Sequence, residues 1–237
     1  MNRASRTNIA SAEHIVGIVA LVCVAASLAA HPTAVGSAGA PPARWRATTL
    51  DASHQLTARS NGAQVGMYGD PAAAAPYWRL QHSGDCGEMA VADVVGQITG
   101  HEPTERQITS LAEHTPGVTG DGPIYQRRGG TEIGNLPILL AHYGIQSSLH
   151  QTTIGGFEQD LAQQHKVIAA VNAETLWNEP GNRKVDNHVV VVTGVDTKAG
   201  MVHLNDSGIR SGRDEQVSLA AFQTAWATSN NIAVVTT

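Results

Sequence analysis

The sequence predicts an α+β domain in which several helices come first and an antiparallel sheet follows. In the first half of the regular region, apolar residues recur with the 3.6-residue period of a helix. The second half instead contains short runs of β-branched residues separated by turn residues, a pattern typical of strands. Helices that precede a group of strands, rather than alternating with them, favour an α+β fold.

Four helices are predicted in the first half. The first spans Cys86–Thr99, at the start of the regular region. The second follows Thr104, which has the spacing of a capping box with Gln107. The third opens at residues 135–137, where a proline occupies the first turn, and the fourth covers residues 157–164.

The second half is predicted to contain four strands and a further helix. The segment "TKAG" has the length of a hairpin loop, so the strands on either side of it should pair. Ser218 can cap a helix that reaches Trp226. The predicted strands are "VIAAVNA" (167–173), "HVVVVTGVD" (188–196), "MVHLND" (201–206) and "IAVVTT" (232–237).

The N-terminal part of the chain is predicted to lie outside the folded domain. Residues 1–30 have the basic start, apolar stretch and small-residue exit of a secretory signal peptide, with an uncleaved membrane anchor as the alternative. Residues 31–76 are rich in Ala, Pro and Gly and predict a flexible linker or pro-segment. The folded domain is then 77–237, and the mature protein is expected to be secreted or held in the cell envelope without spanning the membrane.

The composition argues against several classes of function. The formal net charge is −5 and the basic residues do not cluster, so nucleic acid is not an expected partner. The histidines are dispersed without metal-ligand spacing, and no phosphate-binding glycine loop follows a strand. We therefore expect neither a metal nor another cofactor, and the oligomeric state is left open.

Cys86 carries the clearest chemical signal. The only other cysteine, Cys23, lies in the predicted signal peptide, so its removal leaves Cys86 unpaired. An odd cysteine in an exported chain indicates an intermolecular disulfide or a reactive thiol, and a buried, inert cysteine is the third possibility. The neighbours Asp85, Gly87 and Glu88 favour an accessible thiol, and a helix N-terminus favours the thiolate form.

A histidine and an acidic residue further along the chain suit a thiol nucleophile. His188 begins the most β-prone run, and the hairpin returns to Asn205 and Asp206. In an antiparallel pair, the start of one strand lies beside the end of the next, so an imidazole and an orienting side chain would meet there. A solvent-bonded histidine and simple turn formers are the alternatives for these positions. Gln81 precedes the cysteine and could join its backbone N–H in an oxyanion hole.

The remaining candidates flank the predicted site. Asp85 and Gly87 would line a cleft beside the thiol. Trp177, in the loop before the histidine, would form a cleft wall or pack in the core. Glu88 and Asp93 are expected on the solvated face of the first helix rather than in catalytic roles.

Three segments together resemble one family of enzymes. "LQHSGDCGEMAVADVV", "NHVVVVTGVD" and "VHLNDSG" are similar to motifs of the bacteriocin-processing peptidases, family thirty-nine of the cysteine peptidases. The closer likeness is to the stand-alone, secreted, peptidase-like branch of these bacterial proteins, and it covers residues 77–237. The resemblance implies a papain-like fold with Cys86 as nucleophile, His188 as general base and acid, Asp206 as orienting residue and Gln81 as oxyanion donor.

Two positions depart from the family pattern. Four residues separate Gln81 from Cys86, where five are usual, and Ser207 stands where a proline usually follows the aspartate. Asn205 is therefore an alternative third member of the triad. The accompanying transporter domains of many family members are not expected among these 237 residues, and without them the main reason to infer a double-glycine leader substrate is missing.

The sequence thus predicts a secreted cysteine peptidase that hydrolyses peptide or related amide bonds of a peptide or protein substrate. One alternative is a peptide-binding or effector module that has lost turnover on the same fold. Another is an acyltransferase that passes the acyl group to an amine, as transglutaminase-like enzymes do.

Overall fold

The computed structural model describes residues 66–119, 122–127 and 129–237. Its strands are β1 Met67–Gly69, β2 Ser147–Gln151, β3 Val167–Val171, β4 His188–Asp196, β5 Met201–Asn205, β6 Glu215–Ser218 and β7 Ile232–Thr236. Its α-helices are α1 Pro71–Ala74, α2 Cys86–Thr99, α3 Glu105–His114, α4 Leu136–His142, α5 Ile154–Ala162, α6 Ala173–Leu176 and α7 Leu219–Trp226.

The strands form one antiparallel sheet in the order β2–β7–β3–β4–β5–β6. The short strand β1 pairs with the last three residues of β4, beyond the end of β3. The predicted α+β arrangement, with the first helices packed on an antiparallel sheet, is confirmed.

The sheet separates two hydrophobic cores, because neighbouring residues of a strand point to opposite faces. On β4, Val189 and Val191 enter the core formed with α2, α3 and α4. Val190 and Val192 enter the second core, formed with α5 and α7. A strand buried on both faces reads as a continuous apolar run, which explains the sequence of β4.

Helix α2 is central and nearly enclosed. It ends at Thr99 as predicted, and the following residue, Gly100, has a φ of +76° and donates its N–H to the Gly96 carbonyl. The prediction that Glu88 and Asp93 face solvent is wrong, since both side chains are buried. The reason is that β4, α3, α4 and the segment before α2 surround the helix, so it has no broad solvated face.

Helices α2, α3, α4 and α7 begin where the sequence predicts, and Thr104 and Gln107 make the predicted capping box. Helix α5 starts three residues earlier than predicted, because the Thr153 side chain caps the Gly156 N–H. Strands β2 and β6 were not predicted. Both lie at the edges of the sheet and carry mostly polar, exposed residues, which have no strong strand pattern.

The ordered domain begins before the predicted boundary at residue 77. Residues 67–69 pair with β4, and Pro71 of α1 packs against Gly194, where an added Cβ would lie 2.7 Å from the proline ring. The end of the predicted linker therefore belongs to the domain. The predicted signal peptide (1–30) and the rest of the linker (31–65) lie outside the described residues. Of the helices that the structure describes, none is long and apolar enough to cross a membrane.

The burial of Glu88 leads to a pH-dependent prediction. Burial raises the pKa of Glu88 to about 7, although Thr131 Oγ1 donates a hydrogen bond to Oε1. A carboxyl whose pKa is higher in the folded state stabilises the fold fully below its ordinary value of 4.5, and this contribution is lost as the pH rises through about 7.

The unfolding free energy of the wild type should therefore fall between pH 5 and pH 8. Glu88→Gln should make this fall smaller by up to roughly 3 kcal/mol. Glutamine keeps an oxygen for Thr131 and cannot ionise. Urea unfolding at both pH values measures the difference, with the exposed Glu132→Gln as the matched control. Equal pH dependence in wild type and Glu88→Gln would contradict the prediction.

Candidate active site

Cys86 is the first residue of α2, at the end of the helix where backbone N–H groups lack acceptors within the helix. It is a free, partly exposed thiol. The exposure was predicted from its neighbours, but that reasoning fails because Asp85, Gly87 and Glu88 are all buried. Cys86 is accessible because it lies at the end of the helix.

The imidazole of His188 lies between the thiol and a carboxylate. Its Nε2 is 2.7 Å from Asp206 Oδ1, and the Cys86 side chain lies close enough to raise the pKa of the ring. Because Asp206 occupies Nε2, Nδ1 is the ring nitrogen left for Cys86. The structure thus brings together Cys86, His188 and Asp206.

The surroundings of His188 favour the imidazolium form. Burial alone would lower its pKa, but the charge and hydrogen bond of Asp206, followed by those of Cys86, raise the pKa to about 10. At neutral pH the ring therefore carries a positive charge between two groups that can be negative.

Asp206 is fully buried and accepts three hydrogen bonds. Oδ1 accepts from His188 Nε2 and from the Gly208 N–H at 2.7 Å, and Oδ2 accepts from Trp177 Nε1 at 2.8 Å. Burial alone would raise the pKa of Asp206. The His188 charge and these three donors have the larger effect, so the pKa lies below its ordinary value. Asp206 is thus a fixed carboxylate beside the imidazolium.

Trp177 covers the His188–Asp206 pair. Its ring centroid is 5.1 Å from that of His188, at an interplanar angle of 58°. Gly208 fits directly beneath both rings, since an added Cβ would lie 2.8 Å from Trp177 and 3.0 Å from His188. Of the two roles predicted for Trp177, a cleft wall or a packing residue, the structure shows packing: the ring lies against His188 and against the second core.

Gly208 and Trp78 belong to the same surroundings but were missed in the sequence. Trp78 Nε1 donates to the Asp206 carbonyl oxygen. Gly208 could have been noticed as the small residue of the turn after Asp206, whereas no sequence signal places Trp78, more than a hundred residues away, next to that turn.

Asn205 does not contact His188. Its Nδ2 donates to Asp93 Oδ2 at 2.8 Å and to the Ala74 carbonyl at 3.0 Å. Consecutive residues of a strand alternate between faces, so only one of Asn205 and Asp206 can face the imidazole. The geometry selects Asp206.

Gln81 is held by the turn after Asp206. Its backbone N–H donates to the Ser207 carbonyl, and its Oε1 accepts from Ser207 Oγ at 2.7 Å. Its Nε2 donates to the Ser83 carbonyl at 2.7 Å rather than toward Cys86. Ser207, which replaces the proline usual in the family, therefore holds the side chain of Gln81, the predicted oxyanion donor, by a hydrogen bond.

Asp85 and Gly87 do not line a cleft, contrary to the prediction. The Asp85 side chain is buried, which raises its pKa, and neither carboxyl oxygen has a well-formed hydrogen bond within the described part of the chain. Gly87 packs against α4, where an added Cβ would lie 3.1 Å from Leu136. Both positions are closed because α2 is covered from its first turn.

A groove of about 580 Å³ lies along the segment that leads to the nucleophile. Leu80 and Met89 give it apolar walls, while its charged rim includes Arg79 and Glu105. Neither Cys86 nor His188 lines it, so the groove lies near the site without containing the reacting groups. Across the residues that the structure covers, no group of three or more His, Cys, Asp or Glu side chains could hold a metal ion.

A helix that carries a cysteine at its N-terminus, packed on an antiparallel sheet whose central strand begins with a histidine, defines a papain-like cysteine peptidase fold. The family model described as Peptidase_C39 like family matches residues 67–234. The chain belongs to this family, and the resemblance seen in the sequence motifs is confirmed.

Three relatives show how far the likeness extends. Uncharacterized proteins of Mycobacterium tuberculosis (strain ATCC 25618 / H37Rv) and Mycobacterium bovis (strain ATCC BAA-935 / AF2122/97) are each 45% identical over 208 residues, covering 77% of this chain and 89% of theirs. The crystal structure of a C39-like peptidase from Bacillus anthracis aligns with a TM-score of 0.55 and 17% identity. It covers 72% of this chain and 97% of the other, and supports the fold alone.

Proposed function

We propose that this protein is a cysteine peptidase that hydrolyses peptide or related amide bonds. Cys86 is the nucleophile, His188 the general base and acid, and Asp206 the residue that orients and charges the imidazole. The observation that carries the proposal is that His188 bonds Asp206 through Nε2 and lies beside Cys86, which raises the pKa of its ring. A histidine that only stabilised the fold would not require both neighbours.

The first half of the reaction is acylation. The Cys86 proton resides on His188, so that a thiolate faces an imidazolium, and the thiolate attacks the carbonyl carbon of the substrate. The oxyanion is placed to accept from the Cys86 N–H, and from Gln81 once its amide turns from Ser83. When the C–N bond breaks, His188 gives its proton to the leaving amine, and a thioester with Cys86 remains.

The second half is deacylation. His188, now neutral, takes a proton from water as the oxygen attacks the thioester. Collapse of this intermediate releases the carboxylic acid product and restores the thiolate–imidazolium pair. Asp206 stays ionised throughout and holds the imidazole in the orientation that both steps need.

Peptide cleavage by the full chain tests the proposal. Wild-type protein is incubated with a mixed peptide library, and new N-termini are identified by mass spectrometry, alongside Cys86→Ala. We expect cleavage that the variant abolishes. Cleavage that survives Cys86→Ala would assign the activity to another group or to a contaminant.

One observation favours a second candidate, a peptide-binding module with little turnover. The Gln81 amide is bonded to Ser83 and Ser207 on both sides, and an enzyme that lacks this oxyanion donor would lose about 10²- to 10³-fold in kcat. Tight peptide binding by both wild type and Cys86→Ala, with no cleavage by either, would favour this module over the peptidase.

We further propose that the domain acts after export. The support is the basic, then apolar, then small-residue pattern of residues 1–30. The mass of the protein and its place in a fractionated bacterial culture separate the possibilities, since a chain that retains Met1 and is recovered only from the cytoplasmic fraction would contradict export.

A further inference from the structure

Glu215 occupies a distinctive place beside the proposed triad. It is the first residue of β6 and lies directly opposite Leu204 of β5. Directly paired residues of antiparallel strands share a face of the sheet, and so do residues two apart on one strand. Glu215 and Asp206 are therefore diagonal neighbours on the face to which His188 also belongs.

The two carboxyl groups lie close enough to interact. The charge of Asp206 acts on Glu215, and Glu215 Oε2 is buried without a hydrogen-bond partner in the described structure. Two carboxylates at close range repel each other, so one of the pair keeps a proton. Asp206 faces the His188 imidazolium and accepts from the Gly208 and Trp177 N–H groups, so the proton resides on Glu215.

We propose that Glu215, as a neutral carboxylic acid, donates a hydrogen bond to Asp206 and positions it against His188, and that ionisation of Glu215 removes this support. The inference rests on the proposed function of the triad. It adds a fourth donor to Asp206, from a residue that touches neither substrate nor nucleophile. Glu215 is thus a positioning residue.

The charges around Glu215 agree with this assignment. Burial, then the Asp206 charge and hydrogen bond, raise the pKa of Glu215 to about 7, while the His188 charge opposes the rise. Its neighbour in sequence, Asp214, is engaged with His203 Nδ1 at 2.6 Å, and Arg213 lies over the Trp78 ring. The ionisable groups that act on Glu215 are therefore Asp206 and His188.

Two variants separate hydrogen-bond donation from packing. Glu215→Gln retains a donor for Asp206 and cannot ionise, whereas Glu215→Ala removes the donor. At pH 6, the iodoacetamide alkylation rate of Cys86 should be close to wild type in Glu215→Gln and about tenfold lower in Glu215→Ala. The rate reports the thiolate–imidazolium pair and needs no peptide substrate.

The second measurement follows the His188 Nε2–H proton by NMR between pH 5.5 and 8.5. In the wild type, its resonance should shift with a midpoint near 7 as Glu215 ionises, and this step should disappear in Glu215→Gln. The buried carboxyls Glu88 and Asp93 also have a pKa raised to about 7, but they remain in the variant, so only the Glu215 step is lost.

The inference would be overturned by alkylation in Glu215→Ala at the wild-type rate, or by the same NMR step in Glu215→Gln as in the wild type. Glu215→Gln alkylated as slowly as Glu215→Ala would also overturn it, because donation would then not be the property that matters. Failure of the proposed peptidase is recognised separately, as peptide cleavage that survives Cys86→Ala.

Discussion

Replacing His188 by alanine should lower kcat/KM for peptide cleavage by at least about 10³-fold, because the substitution removes the group that takes the thiol proton and returns it to the leaving amine. The alkylation of Cys86 should change with it. In the proposed mechanism the Cys86 proton passes to His188, so iodoacetamide should react rapidly with the wild type at pH 6. In His188→Ala the reaction should be slow at pH 6 and rise steeply with pH, as for an unassisted thiol.

His203 provides a matched control for this experiment. It is a largely buried histidine of β5, bonded to Asp214 much as His188 is bonded to Asp206. His203→Ala removes a second histidine–aspartate pair without touching the nucleophile, and should leave alkylation at pH 6 near the wild-type rate. Equal effects of the two substitutions would mean that the loss reflects stability rather than catalysis, and a thiol indifferent to His188→Ala would remove the basis of the proposed mechanism.

Replacing Asp206 by alanine should reduce kcat/KM by about 10³-fold and destabilise the fold by about 3 kcal/mol. The variant leaves the His188 ring unpaired and removes the acceptor of Trp177 Nε1 and the Gly208 N–H. Each buried donor without an acceptor adds to the cost. Steady-state kinetics and urea unfolding measure the two effects on the same preparation.

The destabilisation should depend on pH. The raised pKa of His188 gives stability that is full below 6.5 and lost as the pH rises through about 10. The lowered pKa of Asp206 gives stability that is present above 3.8 and lost as the pH falls through its folded-state value. The deficit of Asp206→Ala should therefore be greatest from about pH 4 to 6.5 and shrink toward pH 10.

Asp214→Ala is the control for this second prediction. Asp214 pairs with His203 but its side chain is 36% exposed, so solvent screens the pair and its loss should cost no more than about 1 kcal/mol. A pH-independent deficit in Asp206→Ala, or one no larger than that of Asp214→Ala, would contradict the assignment of Asp206 as the buried counter-charge.

The parts of the fold that could be predicted from the sequence are those with a local cause. The capping box at Thr104, the glycine after α2 and the β-branched run of β4 each fix an element from its own residues. The same holds for Cys86 and His188, which stand at the starts of their elements. Local signals thus locate the groups that carry chemistry.

The missed features depend on packing between distant segments. The helical period of α2 does not reveal that the helix is covered on all sides, so Glu88 and Asp93 were assigned to solvent. The choice between Asn205 and Asp206 requires the register of β5 on β4, which shifts between Val192 and Gly194. The residues around this position give no sequence signal for that shift. The three donors of Asp206 also come from three separate segments, so they could not be grouped from the sequence.

The division of the sheet into two cores has a consequence for how the reactivity of this protein can evolve. Cys86 packs with the core of α2, whereas Trp177, which lies against His188, packs with the core on the opposite face. The distance between the Cys86 sulfur and the His188 imidazole therefore depends on both cores. One positions helix α2, and the other packs against the opposite face of the strands. A substitution of similar volume deep in either layer shifts its neighbours slightly, because the interior is closely packed. Such substitutions can change the reactivity of Cys86 while every residue that contacts the substrate stays the same.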